Sequence, residues 1–251
     1  MNSTFVLFRR LMKHIFRSFD TILTVAIIPI VVMILFTFVL GGAIETNLPA
    51  NTNYVDYIFP GIMLMAIASG VAYTANRLFQ DIEKGFIQRL NSMPISRSAA
   101  LWAHVLTSIV SNFMTLVLIF CVALIMGFRS SANVLEWLGV IAILALVNLT
   151  LTWVAMIPGL IARTAEGASA FAYPILLLPL VSSAFVPTDT MPAGVRFFAE
   201  HQPVTAMVNT IRSLLLGQSY GTSIWIALAW CVAIMVLAWL ASRKLYAHKL
   251  L

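Results

Sequence analysis

Apolar runs long enough to cross a lipid bilayer recur along the whole of this 251-residue chain and constrain its fold more than anything else in it. A bilayer core of about 30 Å takes about 20 helical residues. Six stretches meet or approach that length: Thr21 to Leu40, Ile58 to Ala75, Ala99 to Met126, Trp137 to Ile161, Ala168 to Val186 and Ile224 to Ala241. The chain is 61% hydrophobic and 10% charged, against roughly 25% charged in ordinary globular domains, so no water-soluble core could hide its apolar surface. A β-barrel would need short alternating strands, and these runs are continuous. The expectation is an all-α integral membrane protein, residues 1–251 forming one transmembrane domain of six helices.

The net charge of +6 could point to nucleic acid, but its distribution reads as membrane orientation. Six spans put both termini on one side. That side carries Arg9, Arg10, Lys13, Arg17, Arg77, Lys84, Arg89, Arg97, Arg163, Arg243, Lys244 and Lys249, twelve of the fifteen Lys and Arg, and the other keeps Arg129, Arg196 and Arg212. The excess marks the cytoplasmic face, so both ends are expected inside a bacterial cell membrane and no nucleic-acid partner is expected. The first apolar run is too long for the core of a cleaved signal peptide. Cys121 and Cys231 fall inside spans and read as small apolar fillers.

Between the second and third runs lies the longest charged interruption, Gln80 to Arg97. Wound as a helix from Asp81 to Met93, it would place Ile82, Phe86, Leu90 and Met93 on one stripe, with Glu83, Lys84 and Gln88 away from it, and Pro94 would end it. Such a ridge beneath a membrane must bury against something, and a soluble partner is expected. Residues 1–20 also read as an amphipathic helix: Phe5, Phe8, Met12, Ile15, Phe16 and Phe19 oppose Arg9, Arg10, Lys13, His14 and Arg17, the pattern of a helix lying in the headgroup layer. On the outer side, residues 187–217 hold Pro187, Pro192 and Pro203, and Pro203 to Leu216 reads as a helix opened by proline and stopped by Gly217. Its length suits a re-entrant or interfacial segment.

Within the spans, Ala66, Gly70 and Thr74 form a row of small residues at spacing four, as do Ala68 and Ala72, which predicts close helix packing. His104, Ser108, Ser111, Asn112 and Thr115 in the third run, with Asn148, Thr150 and Thr152 in the fourth, predict interhelical hydrogen bonds. Acidic and basic residues are missing from the middle of every run, against an ion-coupled secondary transporter, the alternative class. The chain has no phosphate-binding Gly-x-x-x-x-Gly-Lys-Ser/Thr loop and no metal-ligand motif, and His104 with Ser108 on one helix reads as packing, not as a nucleophile and its base. An enzyme is not expected.

Several stretches together resemble the ABC-2 type permeases, the six-span membrane subunits of ATP-binding cassette exporters, and among them the daunorubicin-resistance branch with its relatives the nodulation-factor exporters. They are Asp81-Ile82-Glu83-Lys84-Gly85 leading to Leu90, Met93-Pro94-Ile95-Ser96-Arg97, Ser182 to Pro187 through Met191-Pro192, and Gln202-Pro203-Val204-Thr205 followed by Arg212, Leu214 and Gly217. The family usually has Asn where this chain has Gln202. The resemblance implies an N-terminal elbow helix, a coupling helix after the second span that docks in a cleft of the ATPase, and short re-entrant outer helices marked here by Pro192, Pro203, Thr205, Arg212 and Gly217. It assigns coupling to Asp81, Ile82, Glu83, Lys84, Gly85, Phe86, Arg89 and Leu90. Of these, Ile82, Phe86 and Leu90 would be the docking ridge, with Glu83, Lys84 and Arg89 as its polar contacts. It further implies two cassette ATPase partners that carry the ATP and magnesium, a second permease copy, either identical or related, and a lipophilic or amphiphilic substrate. The path would run along the seam between copies, lined by spans one, two and five, with Ala68, Ala72, Ala172 and Ser182 beside it.

Overall fold

A computed structural model describes residues 5, 7–9, 11–12, 19–44, 53–86, 99–218 and 221–249, and among these all regular structure is helical, with no strand. Five helices are long and apolar enough to cross a membrane. The first, α1 (Phe19–Leu35), runs through Pro29 and loosens into a π-helical stretch, Phe36–Leu40. The others are α2 (Tyr54–Glu83), α3 (Ala99–Ile125), α4 (Val134–Ile161) and, at the end of the chain, α9 (Ser223–Lys249).

The fifth expected span, Ala168 to Val186, is not one continuous helix. The chain there is helical only from Ala165 to Val181, too short to count with the long helices, and it is built in pieces: α5 (Ala165–Ala170), α6 (Ala172–Leu177) and a 3-10 turn, Leu178–Val181. Seventeen residues at 1.5 Å each reach about 25 Å, short of a bilayer core. Proline is the physical reason, since Pro174 and Pro179 have no amide hydrogen to continue the ladder. Two short helices follow, α7 (Ala193–His201) and α8 (Pro203–Leu215). Pro203 opens α8, and Gly217, with φ +61°, stands just past its end, as the sequence predicts.

The axis of the bundle is α2. It is 83% buried over its apolar window, against 28% for the first span and 17% for the last; α1, α3, α4, α5, α6 and α8 pack on it, and α9 packs on α4 and α8. Every residue from Tyr54 to Ala68 is buried, as befits a helix that is apolar all round. At 30 residues α2 is about 45 Å long, so its last turns run past the hydrocarbon layer. Helix α4 starts from a capping box, the Asn133 side chain accepting from the Glu136 amide at 3.0 Å and Glu136 accepting from the Asn133 amide at 2.7 Å.

Small residues let the helices meet. A β-carbon on Gly159 would lie 2.9 Å from the Ala75 carbonyl oxygen, and one on Gly61 would lie 2.5 Å from the Ala184 β-carbon. Those two contacts fix the two ends of α2: the end of α4 passes beside Ala75 and Leu78, and the turn after the 3-10 segment passes beside Gly61. Where α3 and α4 cross, two of the expected polar bonds form, the Asn112 amide donating to the Asn148 oxygen at 2.7 Å and the Ser108 and Thr152 hydroxyls lying 3.0 Å apart, while Thr115 donates to the Ser111 carbonyl of its own helix. On the far side of α4, Thr150 reaches the Cys231 carbonyl of α9 at 3.3 Å.

Candidate functional site

Two places gather the residues singled out by the sequence: the C-terminal end of α2, which the charge pattern assigns to the inside and which is called the inner end, and the cap at its N-terminal end, called the outer cap. At the inner end, Asp81 and Glu83 belong to the last turn of α2 and not to a separate helix. Lys84 donates back to the Gln80 carbonyl at 3.0 Å and Gly85 to that of Ile82 at 3.0 Å, with Gly85 at φ +68°, a left-handed geometry that glycine adopts without steric cost. The continuous helix expected from Asp81 to Met93 is therefore corrected: a turn at Lys84 and Gly85 interrupts it, and helical geometry resumes at Phe86. Arg89, Leu90 and Met93 lie outside the described residues.

This segment has two faces. Ile82 and Phe86, half-buried, pack onto a cluster containing Leu78, Leu101, Trp153, Leu160 and Tyr246, which come from α2, α3, α4 and α9. Glu83 and Lys84 are exposed. Two members of the expected ridge thus rest on the chain's own bundle, and the charged pair faces outward. Asp81 points inward as well, its carboxylate 3.2 Å from Nε2 of His104 on the second turn of α3. His104 is 2% exposed and its Nδ1 has no partner. His104 and Ser108 take different partners, Asp81 and Thr152.

The Asp81 contact makes a prediction. Truncating Asp81 takes the carboxylate away from the buried His104 ring, and truncating His104 removes one contact of Asp81, each at about 1–3 kcal/mol, whereas replacing both by apolar side chains is nearly neutral. Asp81→Leu and His104→Leu should each lower the thermal unfolding midpoint of the purified protein, and the double variant should recover most of the loss. Single variants as stable as the wild type would remove the contact from the account.

The outer cap is organised by Arg212 on α8. Its Nε and Nη2 both donate to the Tyr57 carbonyl, at 3.1 and 3.0 Å, and Nη2 also meets the Ser183 carbonyl at 2.6 Å and that of Ala184 at 3.3 Å. Nη1 donates to Asn209 at 3.0 Å, and the guanidinium lies 3.7 Å from the centre of the Tyr57 ring. No carboxylate among the described residues forms an ion pair with it. Around it, Tyr54 donates to the Phe185 carbonyl at 2.9 Å, Thr205 to the Ala199 carbonyl, and Ser183 to Asn209 at 2.7 Å. Asp56 accepts from the Arg129 amide at 2.8 Å, from within the first turn of α2. Gln202, standing where the resembled family has Asn, donates to the Val181 carbonyl at 2.6 Å. Pro192 precedes α7 as its cap residue.

The residues assigned to a path are not brought to an open surface. Ala68, Ala172 and Ser182 are 1%, 5% and 0% exposed, and only Ala72 is half-buried. Tyr57, Ser183 and Asn209 are the cap residues that sequence reasoning missed. Tyr57 is 155 positions from Arg212, and neither residue alone signals the other.

An all-helical chain with a buried axial helix, a charged inner turn and a tied outer cap, whose residues 2–216 match the ABC-2 type transporter family, leaves one assignment. The chain belongs to that family. The permease is 25% identical over 233 residues to the daunorubicin resistance ABC transporter permease protein of Streptomyces coeruleorubidus, covering 91% of this chain and 80% of that one. It is 24% identical over 235 residues to a probable doxorubicin resistance ABC transporter permease of Mycobacterium tuberculosis, covering 90% and 82%. A putative transport permease of Cyanophora paradoxa is 25% identical over 228 residues, covering 86% and 75%. Permeases of this family are membrane transport components and work with a separate ATP-binding subunit.

Proposed function

We propose that this permease is the membrane subunit of an exporter for lipophilic or amphiphilic compounds, of the kind named in its drug-resistance relatives, driven by two cassette ATPases that carry ATP and magnesium and paired with a second permease copy. The observation that carries the reading is the two-faced inner turn: Glu83 and Lys84 face outward, while Ile82, Phe86 and Asp81 bear on α2, α3, α4 and α9. Any partner that grips Glu83 and Lys84 pushes on several membrane helices through one short lever. Arg89 and Leu90 would extend that grip.

Six crossings, with both termini in the cytoplasm of a bacterial cell, remain the topology that best supports this arrangement. Between Gly159, beside Ala75, and Ala184, beside Gly61, the chain travels back along about 21 Å of α2, although its helical pieces are short. The N-terminal elbow is supported by Met12, which packs against Ile22 with Phe8 and Val110, while Arg9 is exposed. Ala68, Ala172 and Ser182 would line a path only after α6 parts from α2, which makes them markers of an open state. Ala72, half-buried already, would be uncovered first.

Double charge reversal, Glu83→Lys with Lys84→Glu, tests the lever. Both residues are exposed, so insertion and stability should hold, while co-purification of the ATPase subunit should fall about tenfold, the equivalent of about 1.4 kcal/mol of contact, and export should stop. A double variant that keeps its full complement of ATPase and exports at the wild-type rate would refute the reading.

A further inference from the structure

A cavity of about 180 Å³ lies between α2, α4, α6, α8 and α9, walled by Leu64, Val147, Thr150, Leu178, Val204 and Met207. Thr150 supplies its only hydroxyl, and that hydroxyl is occupied, 2.8 Å from the Leu146 carbonyl and 3.3 Å from that of Cys231. A buried water needs two to four polar partners, whereas an apolar cavity of about 150 Å³ stays dry and admits an apolar guest. The walls resist collapse. Pro179 and Pro203 both line the space, the first in a 3-10 turn whose Val181 carbonyl accepts from Gln202 at 2.6 Å, the second at the start of the helix that Arg212 ties down. Val154, Ile175, Leu178 and Ile234 are half-exposed and form a mouth between α4, α6 and α9, and Tyr173, Leu177 and Leu237 beside it are 67%, 55% and 68% exposed.

We propose that this cavity binds one acyl chain of a bilayer phospholipid, inserted sideways through that mouth. The chemistry of the site chooses the occupant. A compact amphiphile would bring a polar group inside, where no donor or acceptor is available to receive it, at a cost of about 1–3 kcal/mol on the scale of protein substitutions. A phospholipid inserts only its tail, leaving the headgroup at the surface. The site needs no ATPase and stands whether or not the lever at Glu83 and Lys84 does.

The test uses the purified permease in phosphatidylcholine vesicles doped with phosphatidylcholine bearing a mid-chain diazirine, photolysed and mapped by peptide mass spectrometry. Adducts should concentrate on residues 175–179 and 203–207. Val204→Phe, which fills the cavity from α8, should cut those adducts about tenfold by displacing about two methylenes of the chain, while labelling around Leu237 stays unchanged. Leu151→Phe, at a half-buried wall position on α4, gives the same readout if the first variant does not fold. Wild-type protein unlabelled at 175–179 and 203–207, labelling indifferent to both substitutions, or labelling there only by a free diazirine-bearing decylamine would each overturn the proposal.

Discussion

Arg212→Leu should lower the thermal unfolding midpoint of the permease by about 10 °C, the shift that corresponds to about 3 kcal/mol in a chain of this size. The substitution removes the donor for the Ser183 and Ala184 carbonyls, in a turn wedged against Gly61 on α2. A buried acceptor left without a donor costs about 1–3 kcal/mol. The contact with the Tyr57 ring goes too, and such contacts are worth about 2 kcal/mol when desolvated. Arg212→Lys should recover little. A planar fork places Nε and Nη2 on one carbonyl and still reaches a second with the same nitrogen, which a compact ammonium cannot do. The loss should be selective, releasing the chain around residues 182–186 to proteolysis before the long helices melt. A leucine variant that melts within about 2 °C of the wild type, against the 2–4 °C expected per kcal/mol, would mean that the cap holds without its arginine.

The features legible in the sequence are those set by solvent. Bilayer length and apolar continuity locate the five long helices, and proline at Pro203 with glycine at Gly217 brackets α8. Ends went astray where helices leave the hydrocarbon: apolarity stops α2 at Ala75, yet backbone hydrogen bonds carry it to Glu83, because Asn76, Arg77 and Asp81 are as helical as the residues before them once water is near. The inner turn was misread for a related reason. A wheel drawn from Asp81 to Met93 assumes unbroken winding, and one glycine at φ +68° resets the phase, so Ile82 and Phe86 reach the same cluster by a different route. Tertiary pairings such as Asp81 with His104, or Arg212 with Tyr57, leave no periodic trace and need the fold itself.

Gly70→Ala should create the closest clash of any methyl added to a glycine of the membrane core and weaken the junction of α2 with α3. A β-carbon there would sit 1.7 Å from the Asn112 side-chain oxygen and 2.7 Å from its amide carbon, so either α2 moves away from α3 or Asn112 turns aside. Moving α2 disturbs the helix against which α1, α3, α4, α5, α6 and α8 pack, and overpacking of this kind costs about 1–3 kcal/mol. Turning Asn112 breaks its 2.7 Å bond to the Asn148 side-chain oxygen, which then keeps the 3.4 Å contact from the Thr152 hydroxyl. Interhelical bonds in membranes average about 0.6 kcal/mol, with about 1.7 as the upper end, so turning Asn112 aside is the less costly response. The double variant Gly70→Ala with Asn112→Ala separates the two, since removing the asparagine clears the space the methyl needs. Its stability loss should be smaller than the sum of the single losses by about 1 kcal/mol or more, a coupling typical of residues in contact. Strict additivity of the two changes, measured by thermal unfolding in one detergent, would show that α2 and α3 do not meet where Gly70 faces Asn112.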